Sequence, residues 1–275
     1  MKSVKKKSLL YKSKVEYANF CLNHVLGCAH GCTYPCYALM MAKRFGRVKD
    51  YADWIEPKLV ENALEVLDQE IPRYKKQIDF VHLCFTTDPF MCGYWEVAEM
   101  SLKIIKKLNE NQIKTTVLTK GIYPEVLADK LTYGFQNAYG ISLVSLSEVF
   151  RREFEPFSAP FKDRISGLRY LHESGLKTWV SIEPFPTPNL FEQDISKTLD
   201  AIKFVDRIIF GRMNYNTRAY QFRGAADFYE KCASTVIDFC QERNIEYHIK
   251  NGTTKRKDTV SRKLSMPLTL PYFQT

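Results

Sequence analysis

The stretch Gly27-Cys28-Ala29-His30-Gly31-Cys32-Thr33-Tyr34-Pro35-Cys36-Tyr37-Ala38 places three cysteines within nine residues. Three thiolates so spaced can hold a four-iron cluster only if one iron keeps an open position, because such clusters ordinarily take four cysteines. An open coordination position is where a substrate binds, as in zinc sites with three protein ligands. Three other readings compete. The even spacing would put the sulfurs on one helical face, but Gly31 and Pro35 are costly inside helices. A zinc knuckle with His24 or His30 as fourth ligand stays open, although zinc ligands ordinarily come in two separated pairs. A disulfide framework would need an oxidising compartment, and Met1 to Lys14 contain no apolar core of a secretory signal. The loop reads first as a cluster site and second as a zinc site.

Around this loop, short β-rich runs alternate with amphipathic helical runs. Tyr17–Leu26 reads as a strand leading into the cysteines. A helix is expected from Pro57, a favourable first helical residue, to near Tyr74. Strands follow at Phe80–Phe85, Lys114–Leu118, Tyr139–Val144, Thr178–Ile182, Arg207–Phe210 and Glu246–Ile249. Helices between them are expected at Trp95–Leu108, Pro124–Leu131, Arg164–His172, Ile195–Phe204 and Ala226–Cys240. This order gives six βα units: an α/β fold with parallel strands and right-handed crossovers, an incomplete version of the eight-stranded barrel. One barrel domain over 15–249 is expected, between a basic arm (1–14) and a basic tail (250–275).

The chain has 275 residues and a net charge of +9, with the excess at its ends. Residues 1–14 and 250–275 hold twelve of the 40 Lys and Arg and one of the 31 acids, which leaves the middle slightly acidic. Such ends suit phosphate contact with DNA or RNA, docking to an acidic partner, or plain solvation. No apolar run is long enough to span a bilayer. Eight cysteines without a secretion signal suggest a reducing cytoplasm.

Cys-x-His-Gly-Cys-x-Tyr followed by Cys-Tyr-Ala resembles the cluster loop of radical S-adenosylmethionine (SAM) enzymes, in particular the spore photoproduct lyase-like branch. That branch has two residues between its second and third cysteines, whereas Thr33, Tyr34 and Pro35 make three here. A Pro-containing bulge can absorb the extra residue, since Pro fixes only its own φ and shapes the residue before it. The chain also resembles one member of the two-protein radical SAM mobile pair systems, which implies a second radical SAM protein as partner. The resemblance spans Asn19 to Met213 and implies a partial (β/α)6 TIM-like barrel. It also implies a [4Fe-4S] cluster on Cys28, Cys32 and Cys36, SAM at the open iron, and an electron donor such as flavodoxin or ferredoxin. The implied chemistry is reductive cleavage of SAM to methionine and a 5′-deoxyadenosyl radical, which takes a hydrogen atom from a substrate.

Active sites of parallel α/β barrels form at the C-terminal ends of the strands. The expected ends carry Thr86-Thr87-Asp88-Pro89, Thr119-Lys120-Gly121, Ser142 with Ser145, Glu183-Pro184, and Arg212 with Asn214. Asp-Pro and Lys-Gly also form ordinary turns. Under the resemblance, Lys120 would meet the SAM carboxylate and Thr87 its amino group. Asp88 and Ser142 would take the ribose hydroxyls, Tyr37 would pack on adenine, and Glu183 would complete the cofactor rim. Cys84, Tyr215 and Tyr220 are candidate hydrogen donors, Cys84 first among them, against the ordinary reading of a strand cysteine as a buried apolar residue. Glu155 and Arg164 read as a structural ion pair. The basic ends and the resemblance favour a nucleic acid or nucleotide as substrate. Radical modification of a peptide or partner protein is the alternative chemistry. A zinc- or cluster-bearing nucleic-acid-binding module is the alternative without catalysis.

Overall fold

The computed structural model describes residues 1–13, 19–255 and 260–262. Two short strands come first, β1 (Lys2–Val4) and β2 (Leu10–Lys12), then β3 (Phe20–Leu22) and β4 (Val25–Leu26). Past the cysteine loop stand α1 (Tyr37–Arg44), α2 (Tyr51–Ile55), β5 (Lys58–Val60) and α3 (Ala63–Tyr74). Alternation then sets in, with β6 (Phe80–Leu83), α4 (Trp95–Glu110), β7 (Lys114–Thr119), α5 (Lys130–Tyr133) and β8 (Ala138–Ser142). Helices α6 (Glu148–Phe154) and α7 (Phe161–Glu173) lead to β9 (Lys177–Phe185), α8 (Ile195–Ala201) and β10 (Arg207–Arg212). The chain closes with α9 (Thr217–Tyr220), α10 (Ala225–Glu242), β11 (Glu246–Ile249) and β12 (Val260–Arg262).

The main sheet runs β12-β11-β10-β9-β8-β7-β6-β3-β2. Every pairing from β3 through β11 is parallel. The edge strands β2 and β12 are antiparallel to their neighbours. This is the expected α/β partial barrel with parallel strands. Strands covered on both faces read as unbroken apolar runs, and Ile208, Ile209 and Phe210 of β10 are all buried. All the central strands point the same way, so their C-terminal ends gather at one rim.

Two local expectations are corrected. Lys58–Val60 is a strand, parallel to β1 and antiparallel to β4, and the helix begins only at Ala63. Pro57 is a local start signal, but the Val60 amide donates to the His24 carbonyl at 2.8 Å and the Val60 side chain is buried. Tertiary pairing outweighs the propensity. The strand expected over Tyr17–Leu26 is divided at Asn23 and His24, and Tyr17 and Ala18 lie outside the described residues.

Residues 1–13, set apart by their lysines, are folded into the sheets. The buried Glu70 carboxylate accepts from the Leu9 and Leu10 amides at 2.8–3.2 Å, and both leucines are buried. Lys2 pairs with Glu56 and Lys5 with Glu61. In the tail, Lys250 pairs with Glu183 and Lys255 with Asp227. Lys14 and the tail residues 256–259 and 263–275 lie outside the described residues. Among the described residues, no helix is long and apolar enough to cross a membrane.

Candidate active site

Strand β4 ends at Leu26, and Gly27 turns the chain with φ +88°. A Cβ there would stand 2.5 Å from the Trp54 carbonyl, which accepts the Cys28 amide at 2.9 Å. Only glycine satisfies both the dihedral and the close approach. Cys28, Cys32 and Cys36 then line one wall of a cavity of about 500 Å³. The same cavity is lined by Cys84, Thr87, Asp88, Lys120, Ser142 and Glu183, all at or just past strand ends. The structure thus brings the three cysteines, the expected cofactor residues, Tyr37 included, and the candidate donors Cys84 and Tyr215 to one cavity, but not Tyr220 or Ser145.

All three loop cysteines are free and half-buried. Burial raises the Cys28 thiol and pushes Cys32 up to about 12. Thiolates there need positive charge from a metal, which deprotonates a coordinating thiol outright. Among the described residues, no three His, Cys, Asp or Glu side chains converge on a point that would suit one metal ion. A four-iron cluster takes its thiolates on separate irons. The two histidines weighed as a fourth zinc ligand are engaged elsewhere. The donor set fits the cluster.

His30 is engaged by Asp88, with Nε2 and Oδ2 2.8 Å apart and both side chains buried. Asp88 also accepts from the Phe90 amide at 2.8 Å, the Thr119 hydroxyl at 2.6 Å and the Lys120 amide at 2.8 Å. A carboxylate has about four acceptor positions, and these four bonds use them. Burial would raise the Asp88 carboxyl, yet His30 and the other donors hold it below the usual range. The ribose contact expected of Asp88 is therefore closed to it. Instead it clamps the cysteine loop to the ends of β6 and β7.

Lys120 leaves β7 toward the loop and lies 5.9 Å over the Tyr34 ring. Its Nζ stands 3.6 Å from Glu155, which also binds Arg164 at 2.9 Å and accepts from the Tyr34 hydroxyl at 2.7 Å. Burial would raise Glu155, but Lys120 and Arg164 hold its carboxyl low. Burial would likewise depress the Lys120 ammonium, but Glu155 and Cys32 hold it above the ordinary lysine range. Two cations share one carboxylate, which leaves one positive charge at the cavity wall. The expected Glu155–Arg164 pair is present, and Lys120 is its third member. The extra residue of the loop is anchored at the same place, since the Thr33 amide donates to the Phe154 carbonyl at 3.0 Å.

Cys84 follows β6 with φ +56° and is buried. Its Sγ lies 3.3 Å from His24 Nδ1, and His24 Nε2 lies 3.0 Å from the Ser101 hydroxyl. Ser101 donates to the Pro89 carbonyl at 2.6 Å, so it accepts from Nε2–H, and Nδ1 offers a lone pair to the thiol. Burial pushes His24 down to about 4 and Cys84 up to about 12. The pair keeps a neutral S–H at the cavity wall. The Thr87 hydroxyl neighbours that thiol and has no other hydrogen-bond partner among the described residues.

At the outer rim, Tyr37 and Tyr215 stack with centroids 6.1 Å apart, each about half exposed. Glu183 is held by Lys250 at 2.9 Å, and Arg212 donates to Asn214 at 3.0 Å. The Tyr220 hydroxyl accepts from the Tyr215 amide at 2.8 Å, so Tyr220 braces that residue and does not line the cavity. Sequence reasoning missed His82, a buried cavity residue, because a lone histidine in a strand carries no spacing signal. Lys250 was missed as a cavity residue because it counted as the first of the tail cations.

Residues 22–202 match the radical SAM superfamily. The chain is 28% identical over 190 residues to the uncharacterized protein ORF301 of Acidianus two-tailed virus, covering 66% of this chain and 60% of that protein. It is 25% identical over 194 residues to the uncharacterized protein MJ0683 of Methanocaldococcus jannaschii, covering 69% and 68%. The chain thus spans less than two thirds of the viral relative's length. Among solved structures it is similar to spore photoproduct lyase complexed with dinucleoside spore photoproduct, with a TM-score of 0.63 and 12% identity over 90% of this chain and 80% of that one. A variant of that lyase with bound AdoMet and the same dinucleoside gives a TM-score of 0.57 and 16% identity, covering 83% and 65%. These likenesses bear on the fold.

Proposed function

The chain belongs to the radical SAM superfamily, and from that premise we propose that it cleaves SAM reductively and turns the 5′-deoxyadenosyl radical on a nucleic acid or nucleotide. The observation that carries the reading is three free thiols lining one cavity with Lys120, whose charge Glu155 must share with Arg164. Cys28, Cys32 and Cys36 would hold the [4Fe-4S] cluster, which when bound supplies the electron that breaks the carbon–sulfur bond of SAM. Lys120, with one uncompensated charge beside Glu155 and Arg164, would take the SAM carboxylate. Thr87 suits the amino group, Ser142 and Glu183 the ribose, and Tyr37 the adenine face. Asp88 acts through His30, keeping the loop in register. Cys84 would return a hydrogen atom to the substrate radical from its neutral thiol.

The substrate class is supported at the rim more than at the ends of the chain, where four of the seven described lysines are ion-paired. Residues 212–226 hold no acid, three arginines (Arg212, Arg218, Arg223) and three aromatics (Tyr215, Tyr220, Phe222). Cations beside exposed aromatic faces suit a phosphate backbone with unstacked bases. A dinucleoside ligand in the lyase structures of the same fold supports this reading.

Anaerobically reconstituted protein should bind about four irons and, with dithionite, release 5′-deoxyadenosine and methionine. Native protein with stoichiometric zinc and neither iron nor sulfide would overturn the reading. Nucleic-acid binding should fall steeply with salt and weaken in Arg212→Ala and Tyr215→Ala. Binding indifferent to both changes would move the substrate class to peptides.

A further inference from the structure

Four cations fall in seven residues behind the cysteine loop: Lys43, Arg44, Arg47 and Lys49. All are exposed, and among the described residues none forms an ion pair. The nearest acids in the chain, Asp50 and Asp53, are occupied in capping α2 and in pairing with Lys58. Lys43 and Arg44 sit in the last turn of α1, where cations favour the negative helix end. That accounts for two of the four. Arg47 and Lys49 lie past the helix, on a turn opened by Gly46 at φ +62°. Between them and the helix stands Phe45, a phenyl 64% exposed, with the Arg47 guanidinium 5.6 Å from its centroid. Lys6 adds a fifth cation: burial, and then Arg47, hold its ammonium below the ordinary lysine range.

The underside of this patch leads directly inward. Ala42 and Val48 form a small apolar cluster with Trp54, and Cys28 and Cys36 pack against it. Helix α1 has eight residues, about 12 Å of rise between Cys36 at its cap and the patch at its end. None of residues 43–49 lines the cavity. The patch therefore stands at the metal side of the loop and not at the substrate mouth. Reductive chemistry needs an electron from outside, since the remaining cysteines are scattered and Cys21, Cys84, Cys232 and Cys240 are buried.

We propose that residues 43–49 dock an acidic one-electron carrier protein of the flavodoxin or ferredoxin class, with Phe45 as the apolar anchor. The inference rests on the cluster reading above. The reduced carrier loses one electron and leaves oxidised by one, the electron entering past Ala42, Val48 and Trp54 to the centre held by Cys28 and Cys36. No atom or proton is exchanged. Cation number and an exposed aromatic give complementarity to an acidic surface, and such complementarity acts mostly on encounter rate and specificity.

The test uses reconstituted holoprotein, flavodoxin as the probe, and the variants Lys43→Glu/Arg44→Glu/Arg47→Glu and Phe45→Ala. Flavodoxin binding, measured by titration calorimetry, should weaken about tenfold in the charge variant, and in the parent it should fade by about 0.5 M salt. SAM cleavage driven by flavodoxin hydroquinone should fall by a similar factor, while cleavage driven by dithionite stays unchanged. Retained iron content confirms that the variants fold. Unaltered flavodoxin affinity and flavodoxin-driven rate would overturn the proposal. So would loss of nucleic-acid binding with flavodoxin binding intact, which would make the patch a nucleic-acid surface. A parent protein inert even with dithionite would sink the cluster reading instead, and the binding arm alone would then decide the docking site.

Discussion

Tyr34 and Glu155 stand 121 residues apart in sequence, and a 2.7 Å hydrogen bond runs from the phenol to the buried carboxylate. The bond fastens the middle of the cysteine loop to the charges that face it. Tyr34 lies between Cys32 and Cys36, where the chain has one residue more than the related loops. The longer loop is therefore tied down and does not bulge into solvent.

Tyr34→Phe should cost about 2 kcal/mol, the range for a hydrogen bond to a charged group. It leaves a buried carboxylate with one donor fewer and no new volume. Urea unfolding measures the loss, and iron content should persist because no thiolate is touched. An unchanged midpoint would mean that the Thr33 and His30 contacts hold the loop without this bond.

Lys120→Ala should weaken SAM binding at least tenfold while leaving iron content intact. Glu155 keeps Arg164 at 2.9 Å, so the wall survives but its net positive charge is gone. Equilibrium binding of SAM to the reconstituted variant reads this directly. Equal affinity in parent and variant would place the carboxylate elsewhere on the rim.

Stability should decline as pH falls from about 7 to 5, and two buried histidines set the sign. Burial holds His24 and His82 each at about 4, below the ordinary 6.5. The unfolded chain takes up protons in that interval and the folded chain does not. Stability is thus full above the unfolded pKa and is lost as pH falls toward the folded one, by roughly 2 kcal/mol per histidine at pH 5. His82→Gln should remove about half of the decline in a series of urea midpoints. A flat parent profile between pH 7 and 5 would contradict the burial of both rings.

Strand ends were legible in the sequence because apolar runs stop at Thr, Lys, Gly and Pro, and parallel topology collects those stops at one rim. The roles of individual rim residues were less so. Asp88 looked like a ligand for ribose because its type fits, but only coordinates show four protein donors already on it. Leu10-Tyr11-Lys12 is too short for periodicity to register, and its partner Phe20–Leu22 supplies the order that turns lysine-rich residues into an edge strand. Glu155 and Arg164 form the expected ion pair. Lys120 joined them from a different strand, a relation that local pattern does not encode.

Cys84→Ser should separate the two halves of the proposed reaction. The side chain keeps its size, its cavity position and a donor for His24, so cluster assembly and cofactor cleavage without substrate should be unchanged. An alcohol is a far poorer hydrogen-atom donor than a thiol, so the substrate radical should go unquenched. Deuterium carried by exchangeable positions should enter the product with the parent protein and fail to enter with the variant. Serine also tests the backbone, since φ +56° is strained for either side chain and its cost cancels between them. Full deuterium incorporation in Cys84→Ser would remove Cys84 from the reaction and leave Tyr215, the other candidate donor lining the cavity, to be examined the same way.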